Sequence, residues 1–285
     1  MIFLTGASGK TGGELARLLC ATGEAVRSLT RSEVSAVRLR GLGVEVMVGD
    51  GSERKVLAGA LRGASVAALI YPNGPAQLGL ERGFVDAAKA AGVSRVVKLS
   101  SIEALSHLTN PVHQGHYRSE EYLKASEVAW TMVRPSFFMQ NFFGNAATIR
   151  AQAKFFLPMK NGRAAMTDTR DVAAFMAHVL TTASHEGQTY EITGPAVMSF
   201  ADVAAAFSEA LGRRIEYVNQ DPAQYRAFLG QFVKNEWHLN AVCEIFREIA
   251  EGYETPATTT FADVLHREPT SFEQFVRDHA AVFGA

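Results

Sequence analysis

The stretch Thr5-Gly6-Ala7-Ser8-Gly9-Lys10-Thr11-Gly12 follows a short apolar run at 2–5 and opens a segment whose leucines recur at helical spacing. Its glycines form the pattern G-x-x-G-x-x-G. This pattern suits a pyrophosphate, because glycine tolerates positive φ, leaves the backbone bare and lets the amides of a helix N-terminus face an anion. A plain tight turn is the alternative. In the preferred interpretation, a dinucleotide is contacted by Gly6, Ser8, Gly9, Lys10, Thr11 and Gly12.

A shorter pattern in the same stretch, Gly9-Lys10-Thr11, is similar to the end of a nucleoside-triphosphate P-loop. That motif also requires a glycine at position 4, where this chain has Leu4. The turn is also too short to enclose a triphosphate. The sequence therefore argues against an ATPase.

Strand-like and helix-like segments alternate after this turn. Strands are predicted at 2–5, 25–30, 44–48, 65–71, 95–100 and 130–134, helices at 13–22, 32–42, 54–61, 80–91 and 117–125, and a loop at 107–115. This alternation predicts an α/β protein of the Rossmann type, with a doubly wound parallel sheet and helices on both faces. Beyond residue 199 the pattern is mostly helical. We expect a dinucleotide-binding domain at 1–155 and a smaller, mostly helical C-terminal substrate part at 156–285 that completes the sheet and the cleft.

Composition places the chain among globular proteins. Of its 285 residues, 47% are hydrophobic and 20% charged, with a formal net charge of −1, so nothing draws the whole molecule to nucleic acid or an anionic membrane. Cys20 and Cys243 are its two cysteines, which predicts neither a disulfide framework nor a metal site. We find no signal peptide or membrane span in the sequence and expect a cytoplasmic protein.

The end of the second predicted strand bears on the choice of cofactor. NAD-specific sites usually place Asp or Glu there, to accept a hydrogen bond from the ribose 2′-hydroxyl. This chain has Thr30-Arg31-Ser32 instead, and a guanidinium favours a 2′-phosphate by charge and bidentate geometry. The sequence therefore predicts NADP(H) over NAD(H), with an ordinary surface arginine as the alternative. Asp50, after the third strand, either contacts adenine or caps the next turn.

Several further motifs complete a family pattern. They are A-A-K-A-A-G-V at 87–93, K-L-S-S at 98–101, His116-x-x-x-Glu120, W-T-M-V-R-P at 130–135, Phe138-x-x-Asn141, Asp171-Val172-Ala173 and Thr193-Gly194-Pro195. With the glycine turn and Arg31, and in this order, the chain resembles the NmrA-like group of atypical short-chain dehydrogenases/reductases over essentially its whole length. It is similar to quinone-oxidoreductase-like, triphenylmethane-reductase-like and azoreductase-like members, and the motifs point to no particular substrate.

The resemblance implies roles for individual residues. The glycine turn and Arg31 match the family's contacts to the phosphates of NADP. The residues that match the loop beside the nicotinamide ribose are Tyr71, Pro72 and Asn73. Those that match the wall next to the nicotinamide are Leu99 and Ser100. The segment over the substrate cleft corresponds to Phe137, Phe138 and Asn141.

One feature of many short-chain reductases is missing. These enzymes carry Tyr-x-x-x-Lys, in which the lysine lowers the pKa of a tyrosine that donates a proton. None of the seven tyrosines here has a lysine four residues later; Tyr117 precedes Glu121 and Tyr122 precedes Ser126. This disfavours carbonyl–alcohol chemistry. A quinone or azo acceptor stays compatible, because its reduced anion is delocalised and solvent can protonate it.

The segment from His116 to Lys124 offers candidate catalytic groups. His116 and Glu120 are four residues apart and share a helix face. Glu120 could keep the imidazole protonated near neutral pH, and His116 or Tyr117 could then donate a proton to a developing anion. The alternative is a solvated helix face on which Glu120 pairs with Lys124.

Phenylalanines are concentrated after the sixth predicted strand. Six of the chain's 18 lie within 20 residues, at positions 137, 138, 142, 143, 155 and 156. If they line a cleft, they favour a flat apolar ring system. The alternative is that at least half of them are ordinary core.

The leading hypothesis is an NADPH-dependent oxidoreductase that transfers hydride to a small aromatic acceptor, such as a quinone or an azo compound. The alternative is a non-catalytic sensor that binds NADP(H) and then a protein partner. A weaker option is an epimerase for a nucleotide-linked sugar, which the missing Tyr-x-x-x-Lys disfavours. The sequence leaves the identity of the acceptor, the proton donor and a homodimeric assembly open.

Overall fold

The computed structural model describes residues 1–284. Its strands are β1 (Ile2–Leu4), β2 (Val26–Thr30), β3 (Glu45–Val48), β4 (Val66–Leu69), β5 (Arg95–Leu99), β6 (Ala129–Pro135), β7 (Lys154–Leu157), β8 (Arg163–Ala164), β9 (Gln188–Ile192), β10 (Met198–Ser199) and β11 (Glu216–Asn219). Its α-helices are α1 (Lys10–Ala21), α2 (Glu33–Arg40), α3 (Arg54–Leu61), α4 (Gln77–Ala90), α5 (Pro111–Lys124), α6 (Ala146–Gln152), α7 (Thr169–Thr181), α8 (Phe200–Leu211), α9 (Pro222–Leu229), α10 (Glu236–Ala250), α11 (Thr260–Leu265), α12 (Phe272–Asp278) and α13 (Ala280–Phe283), and a 3-10 helix spans Met139–Asn145.

The chain forms two compact units. The first unit contains Met1–Pro135 and Thr169–Glu191, and the second contains Ser136–Asp168 and the chain from Ile192 onward. The predicted boundary between 155 and 156 therefore falls inside the second unit. The division into a cofactor domain at 1–155 and a substrate part at 156–285 stays a prediction about function.

The main sheet has seven strands in the order β3-β2-β1-β4-β5-β6-β9. The pairs β1–β2, β1–β4, β2–β3, β4–β5 and β5–β6 are parallel. From β1 the chain proceeds outward to β2 and β3, then returns to place β4 on the other side of β1. This reversal creates a topological switch point between β1 and β4, where doubly wound sheets bind ligands. The predicted Rossmann-type α/β fold is confirmed.

Apolar runs explain why the central strands form the middle of this sheet. Every residue of β1 is buried, as are Ala67, Ala68 and Leu69 in β4. Strands buried on both faces are continuously apolar, which is typical of parallel sheets covered by helices. Two groups of helices supply that cover, since α1 packs against α7 while α4 packs against both α3 and α5. The stacked rings of Phe3 and Phe84 join β1 to α4.

The second unit is built around a cluster of aromatic rings. Phe142 lies at its centre, with its ring centroid 5.5 Å from Phe155, 5.7 Å from Phe207 and 5.2 Å from Phe272. Two short pairings brace this core: β7 with β11 in parallel and β8 with β10 antiparallel. Helix α8 begins at a capping box, in which Ser199 and Asp202 satisfy each other's backbone amides.

The second half of one predicted loop is a helix in the structure. The segment 107–115 was expected to be irregular because of Asn110-Pro111, but α5 begins at Pro111. Asn110 is the N-cap, and its side chain accepts a hydrogen bond from the amide of Val112 at 2.9 Å. Proline fits the first helical turn, where its missing N–H needs no partner. His113 and His116 therefore share one helix.

The described residues also bear on membrane and metal binding. Within 1–284, no helix combines the length and apolar composition needed to cross a membrane. Among the same residues, no group of three or more His, Cys, Asp or Glu side chains is arranged to hold a metal ion.

Candidate functional site

The glycine turn, residues 5–12, connects β1 to α1 in the conformation that its glycines require. Gly6 has φ of +67°, and a Cβ there would lie 2.6 Å from the carbonyl oxygen of Ile70. A Cβ at Gly12 would collide with the carbonyl oxygen of Gly6. The amide of Gly9 donates to that same oxygen at 2.9 Å, which closes the turn. These positions therefore exclude other residues for backbone reasons.

The first turn of α1 is open to an anion. Gly9 is its N-cap and provides no side-chain hydrogen bond to the amides, and no acidic residue lies in the first turn. Ser8, Gly9 and Lys10 are exposed, whereas Thr11 and Gly12 are buried. The helix dipole and amides that lack a side-chain cap both favour a negative group at this position.

Two polar contacts hold the turn in place. The hydroxyl of Thr5 donates to the carbonyl of Ile70 at 2.9 Å and accepts from its amide at 2.7 Å. This ties the end of β1 to the end of β4 at the switch point. Arg38 in α2 donates to the carbonyl of Ser8 at 2.9 Å. Arg38 was not predicted from the sequence, because no motif marks an arginine of α2 as a partner of the glycine turn.

The residues after β2 and β3 lie in the same unit. Arg31 is exposed directly after β2. The carboxylate of Asp50 accepts a 2.8 Å hydrogen bond from the amide of Ser52, and this bond is the main cause that lowers the pKa of Asp50. The structure therefore shows Asp50 capping the next turn, while its contact to adenine stays a prediction.

The loop after β4 carries Tyr71, Pro72 and Asn73. Burial, aided by nearby Glu81 and Asp50, raises the pKa of Tyr71 to about 12, so the phenol stays neutral at physiological pH. Pro72 and Asn73 are exposed. The side-chain oxygen of Asn73 lies 2.9 Å from Nε2 of His116.

The predicted pairing of Glu120 with His116 is wrong. Glu120 is fully buried and accepts two hydrogen bonds from the guanidinium of Arg134, at 2.9 and 2.6 Å, and one from Ser100 at 2.6 Å. A bidentate guanidinium is a stronger partner for a carboxylate than a neutral imidazole. Glu120 therefore joins α5 to β5 and β6.

The imidazole of His116 is buried and neutral. Burial is the main cause that lowers the pKa of His116 well below its usual value, and the charge of Lys98 lowers it further. The expected protonated imidazole is therefore absent near neutral pH. The alternative of a solvated helix face is also wrong, because the side chain of Glu120 is 0% exposed. The pairing that it included is present but loose, since Nζ of Lys124 is 3.8 Å from Glu120 and 2.9 Å from Glu121. Tyr117 is half-buried on the same helix.

A buried ion pair lies behind His116. Nζ of Lys98 in β5 is 2.6 Å from Oε2 of Glu81 in α4, and both side chains are 0% exposed. The amide nitrogen of Gln77 is 3.2 Å from Oε1 of Glu81 and 3.4 Å from Nδ1 of His116. This group was not predicted from the sequence, although a lysine within an apolar strand is a signal that a buried partner exists.

The residues predicted to contact substrate lie in the second unit. Phe137 and Phe138 are half-buried and Asn141 is exposed. The ring of Phe137 packs against Phe142 and Phe200. The phenylalanines of this stretch that belong to the aromatic core or pack on it are those at 137, 142, 143 and 155. The core explanation thus holds for most of the six, and a substrate contact for Phe137, Phe138 or Asn141 stays a prediction.

Comparisons with known proteins identify the family. The model of the NmrA-like family matches residues 1–276, and the chain belongs to this family. It is 34% identical to an NAD(P)H azoreductase from Xenophilus azovorans, over 100% of both chains. It is 28% identical to quinone oxidoreductase 2 of Escherichia coli (strain K12), over 80% of this chain and 81% of that one. The solved structure of an NADPH-dependent quinone oxidoreductase from Escherichia coli, complexed with NADPH, superposes with a TM-score of 0.87 at 23% identity, over 99% and 100% of the two chains.

Proposed function

We propose that this protein is an NADPH-dependent oxidoreductase that transfers hydride to a small aromatic acceptor, a quinone or an azo compound. The observation that carries the proposal is the glycine turn at the switch point, with a Gly6 and a Gly12 that admit no side chain and an α1 that begins without a side-chain cap. The names of the azoreductase and quinone oxidoreductase relatives support the class of acceptor.

Residues of the first unit would hold the cofactor. The amides at the start of α1 suit the pyrophosphate, and the exposed guanidinium of Arg31 suits a 2′-phosphate. Tyr71, Pro72 and Asn73, at the end of β4, and Leu99 and Ser100, at the end of β5, are proposed to contact the nicotinamide half. When bound, the nicotinamide supplies the hydride, and the protein supplies orientation and exclusion of water.

The candidate proton donors of the chain favour an acceptor that needs no strong acid. The chain has no Tyr-x-x-x-Lys pair. Glu120 is held by Arg134, and His116 is neutral with its Nε2 at Asn73. None of these groups is set up as a cationic proton donor. A quinone or an azo compound accepts hydride without one, because its product anion is delocalised and can take a proton from water.

The test is turnover with matched acceptors. Purified protein is mixed with NADPH and, in parallel, with a quinone, an azo dye and a simple aldehyde, and oxidation of NADPH is followed by absorbance. We expect oxidation with the quinone or the azo dye and none with the aldehyde. Reduction of the aldehyde alone would contradict the proposed acceptor class.

The same experiment separates the enzyme from the sensor. Tight binding of NADPH without turnover on any acceptor favours the non-catalytic NADP(H) sensor. No binding of either nicotinamide dinucleotide removes both functions. A cytoplasmic location and a homodimer remain predictions, to be checked by cell fractionation and by light scattering.

A further inference from the structure

A chain of polar side chains runs through the first unit from its interior to its surface. It begins at the ion pair of Lys98 and Glu81, whose side chains are 0% exposed. It continues through Gln77, which is 2% exposed, and His116, which is 6% exposed. It ends at the exposed Asn73, in the loop after β4. The chain thus connects two fully buried charges of this unit to the loop after β4.

The charges at the buried end dictate the direction of the first hydrogen bonds. The ammonium of Lys98 only donates, so Glu81 is held as a carboxylate that only accepts. The amide of Gln77 must therefore face Glu81 with its nitrogen, as the 3.2 Å contact has it. The opposite orientation would bring two acceptor oxygens together. The second N–H of this amide is then free to donate to His116.

The same reasoning determines the proton position on His116. Because the nitrogen of Gln77 faces Nδ1 at 3.4 Å, Nδ1 is the acceptor and the ring proton lies on Nε2. Nε2–H then donates to the oxygen of Asn73 at 2.9 Å. The low pKa of His116 agrees with this neutral ring, since burial and the charge of Lys98 both disfavour a second proton.

The proton position on His116 determines the orientation of the exposed side chain of Asn73. Because its oxygen turns to accept from His116, Asn73 directs its NH2 group, with two N–H donors, the other way. Asn73 follows β4, and β4 is joined to the glycine turn through the hydrogen bonds between Thr5 and Ile70. The amide nitrogen of Asn73 is therefore a donor of fixed orientation in the loop that follows this junction.

We propose that these four side chains, from Lys98 to His116, form a positioning relay that turns the amide nitrogen of Asn73 toward an oxygen of the bound dinucleotide. This inference rests on the proposed function, because it needs a nicotinamide dinucleotide at the switch point. The relay assigns His116 a positioning role through Asn73, in place of the proton donation expected from the sequence. The relay also explains why this unit contains a buried ion pair, which is costly to desolvate. Without the pair, the side-chain amide of Gln77 would fit in either orientation; with the pair, only one orientation is possible.

The first test reads the tautomer of His116 in the cofactor-free protein. Side-chain nitrogen chemical shifts from NMR distinguish a ring with its proton on Nε2 from one with its proton on Nδ1, and the variant His116→Gln assigns the signal. We expect Nε2–H in the wild type. In the double variant E81Q/K98M, which removes both charges at similar volume, we expect a mixture of the two tautomers. A wild-type ring with its proton on Nδ1 overturns the relay.

The second test is a thermodynamic cycle on NADPH affinity. Asn73→Ala is expected to raise the Kd by about tenfold, which is the value of one hydrogen bond. E81Q/K98M is expected to raise it by about twofold, because only about half of its rings then keep the proton on Nε2 that orients Asn73. Because both changes act on the same contact, the triple variant is expected to lose about tenfold, and not about twentyfold. Additive losses would show that the ion pair acts independently of Asn73 and would overturn the relay.

A matched control isolates the effect of burial. Lys89 and Glu127 form an ion pair with the same 2.6 Å separation, but their side chains are 53% and 81% exposed. The double variant K89M/E127Q is expected to leave both the tautomer and the Kd unchanged. If E81Q/K98M does not unfold cooperatively, Gln77→Met replaces it in both tests, because this change removes the donor to Nδ1 of His116 and leaves the buried pair of Lys98 and Glu81 intact.

The two proposals fail in different ways. If wild-type protein binds no nicotinamide dinucleotide, the proposed function fails, and the relay loses its ligand with it. If it binds and reduces an acceptor while the cycle is additive or the tautomer is unchanged in E81Q/K98M, the relay alone is wrong.

Discussion

At the scale of single residues, Arg31 is the side chain expected to select the cofactor. It is exposed directly after β2, and its charge contributes to the lowered pKa of Asp50. We predict that wild-type protein binds NADPH more tightly than NADH and that Arg31→Ala removes most of this preference. A charge-assisted hydrogen bond contributes about 1.5–3 kcal/mol, so the loss of NADPH affinity is about tenfold or more. Titration with both dinucleotides measures it.

The control for Arg31 is an arginine of the second unit. Arg247 is exposed on α10 and pairs with Glu244 and Glu251. Arg247→Ala is expected to leave both affinities unchanged. Equal affinity of the wild type for NADPH and NADH would refute the role of Arg31.

Glu120 shows how local spacing can mislead. The separation of four residues from His116 is a real neighbourhood on a helix, and the sequence analysis used it. The carboxylate instead turns to Arg134, 14 residues away in sequence, which offers two parallel hydrogen bonds. Arg134 becomes available to Glu120 only because α5 and β6 are adjacent in the fold. A rule based on helical spacing cannot predict this pair.

At the scale of elements, the connection of β1 to α1 is the part most sensitive to a single methyl group. We predict that Gly12→Ala lowers NADPH affinity by about tenfold or more, because the new Cβ would collide with the carbonyl oxygen of Gly6 and force the turn to shift. Isothermal titration with NADPH measures the affinity, and circular dichroism checks that the fold is retained.

Gly83→Ala is the matched control for this change. Gly83 lies inside α4, where a Cβ would meet nothing within 4 Å. Because alanine is the better helix former, this variant is expected to gain up to about 1 kcal/mol in unfolding free energy and to bind NADPH normally. Normal binding by Gly12→Ala would show that the close approach of α1 to the turn is not needed for the cofactor.

The short strands of the second unit were not predicted from the sequence. The strands β7, β8, β10 and β11 have two to four residues each. Lys154 in β7 pairs with Glu216 in β11, far along the chain. Such strands form because a partner strand from a distant part of the chain is present, so a pattern of a few residues cannot predict them. The first six strands of the main sheet were predicted because each is a separate apolar run bounded by turn residues.

At the scale of the whole molecule, two buried histidines tie stability to pH. Burial lowers the pKa of His113 to about 4 and that of His116 well below its usual value of 6.5. In the unfolded protein both imidazoles would bind a proton below pH 6.5, whereas in the folded protein they stay neutral. Their contribution to the free energy of unfolding is therefore fully present above pH 6.5 and is lost as the pH falls. His113 alone would account for about 3 kcal/mol between pH 6.5 and pH 4.

The measurement is the midpoint of urea unfolding at several pH values from 7 to about 4. We expect the midpoint to fall throughout this range, and to fall less steeply in His113→Gln. Glu103 acts in the opposite sense, because burial raises its pKa and its contribution to stability is lost as the pH rises. A midpoint that rises on acidification, with the same slope in both proteins, would show that the histidines are not buried as neutral rings.

The features that the sequence alone determined depend on residues close together in the chain. Those that only the tertiary structure decided depend on residues far apart in the chain. The glycine turn, the alternation of strands and helices, the motifs of the NmrA-like family and Arg31 after β2 all reside in contiguous residues, whose backbone demands and apolar periods are local properties. The partner of Glu120, the neutral state of His116 and the direction of Asn73 depend on Arg134, Gln77, Glu81 and Lys98. These groups come from α4, α5, β5 and β6, and they meet only after the sheet is ordered. Hydrogen-bond polarity and burial act through space, so they are set by that assembly and not by spacing along the chain.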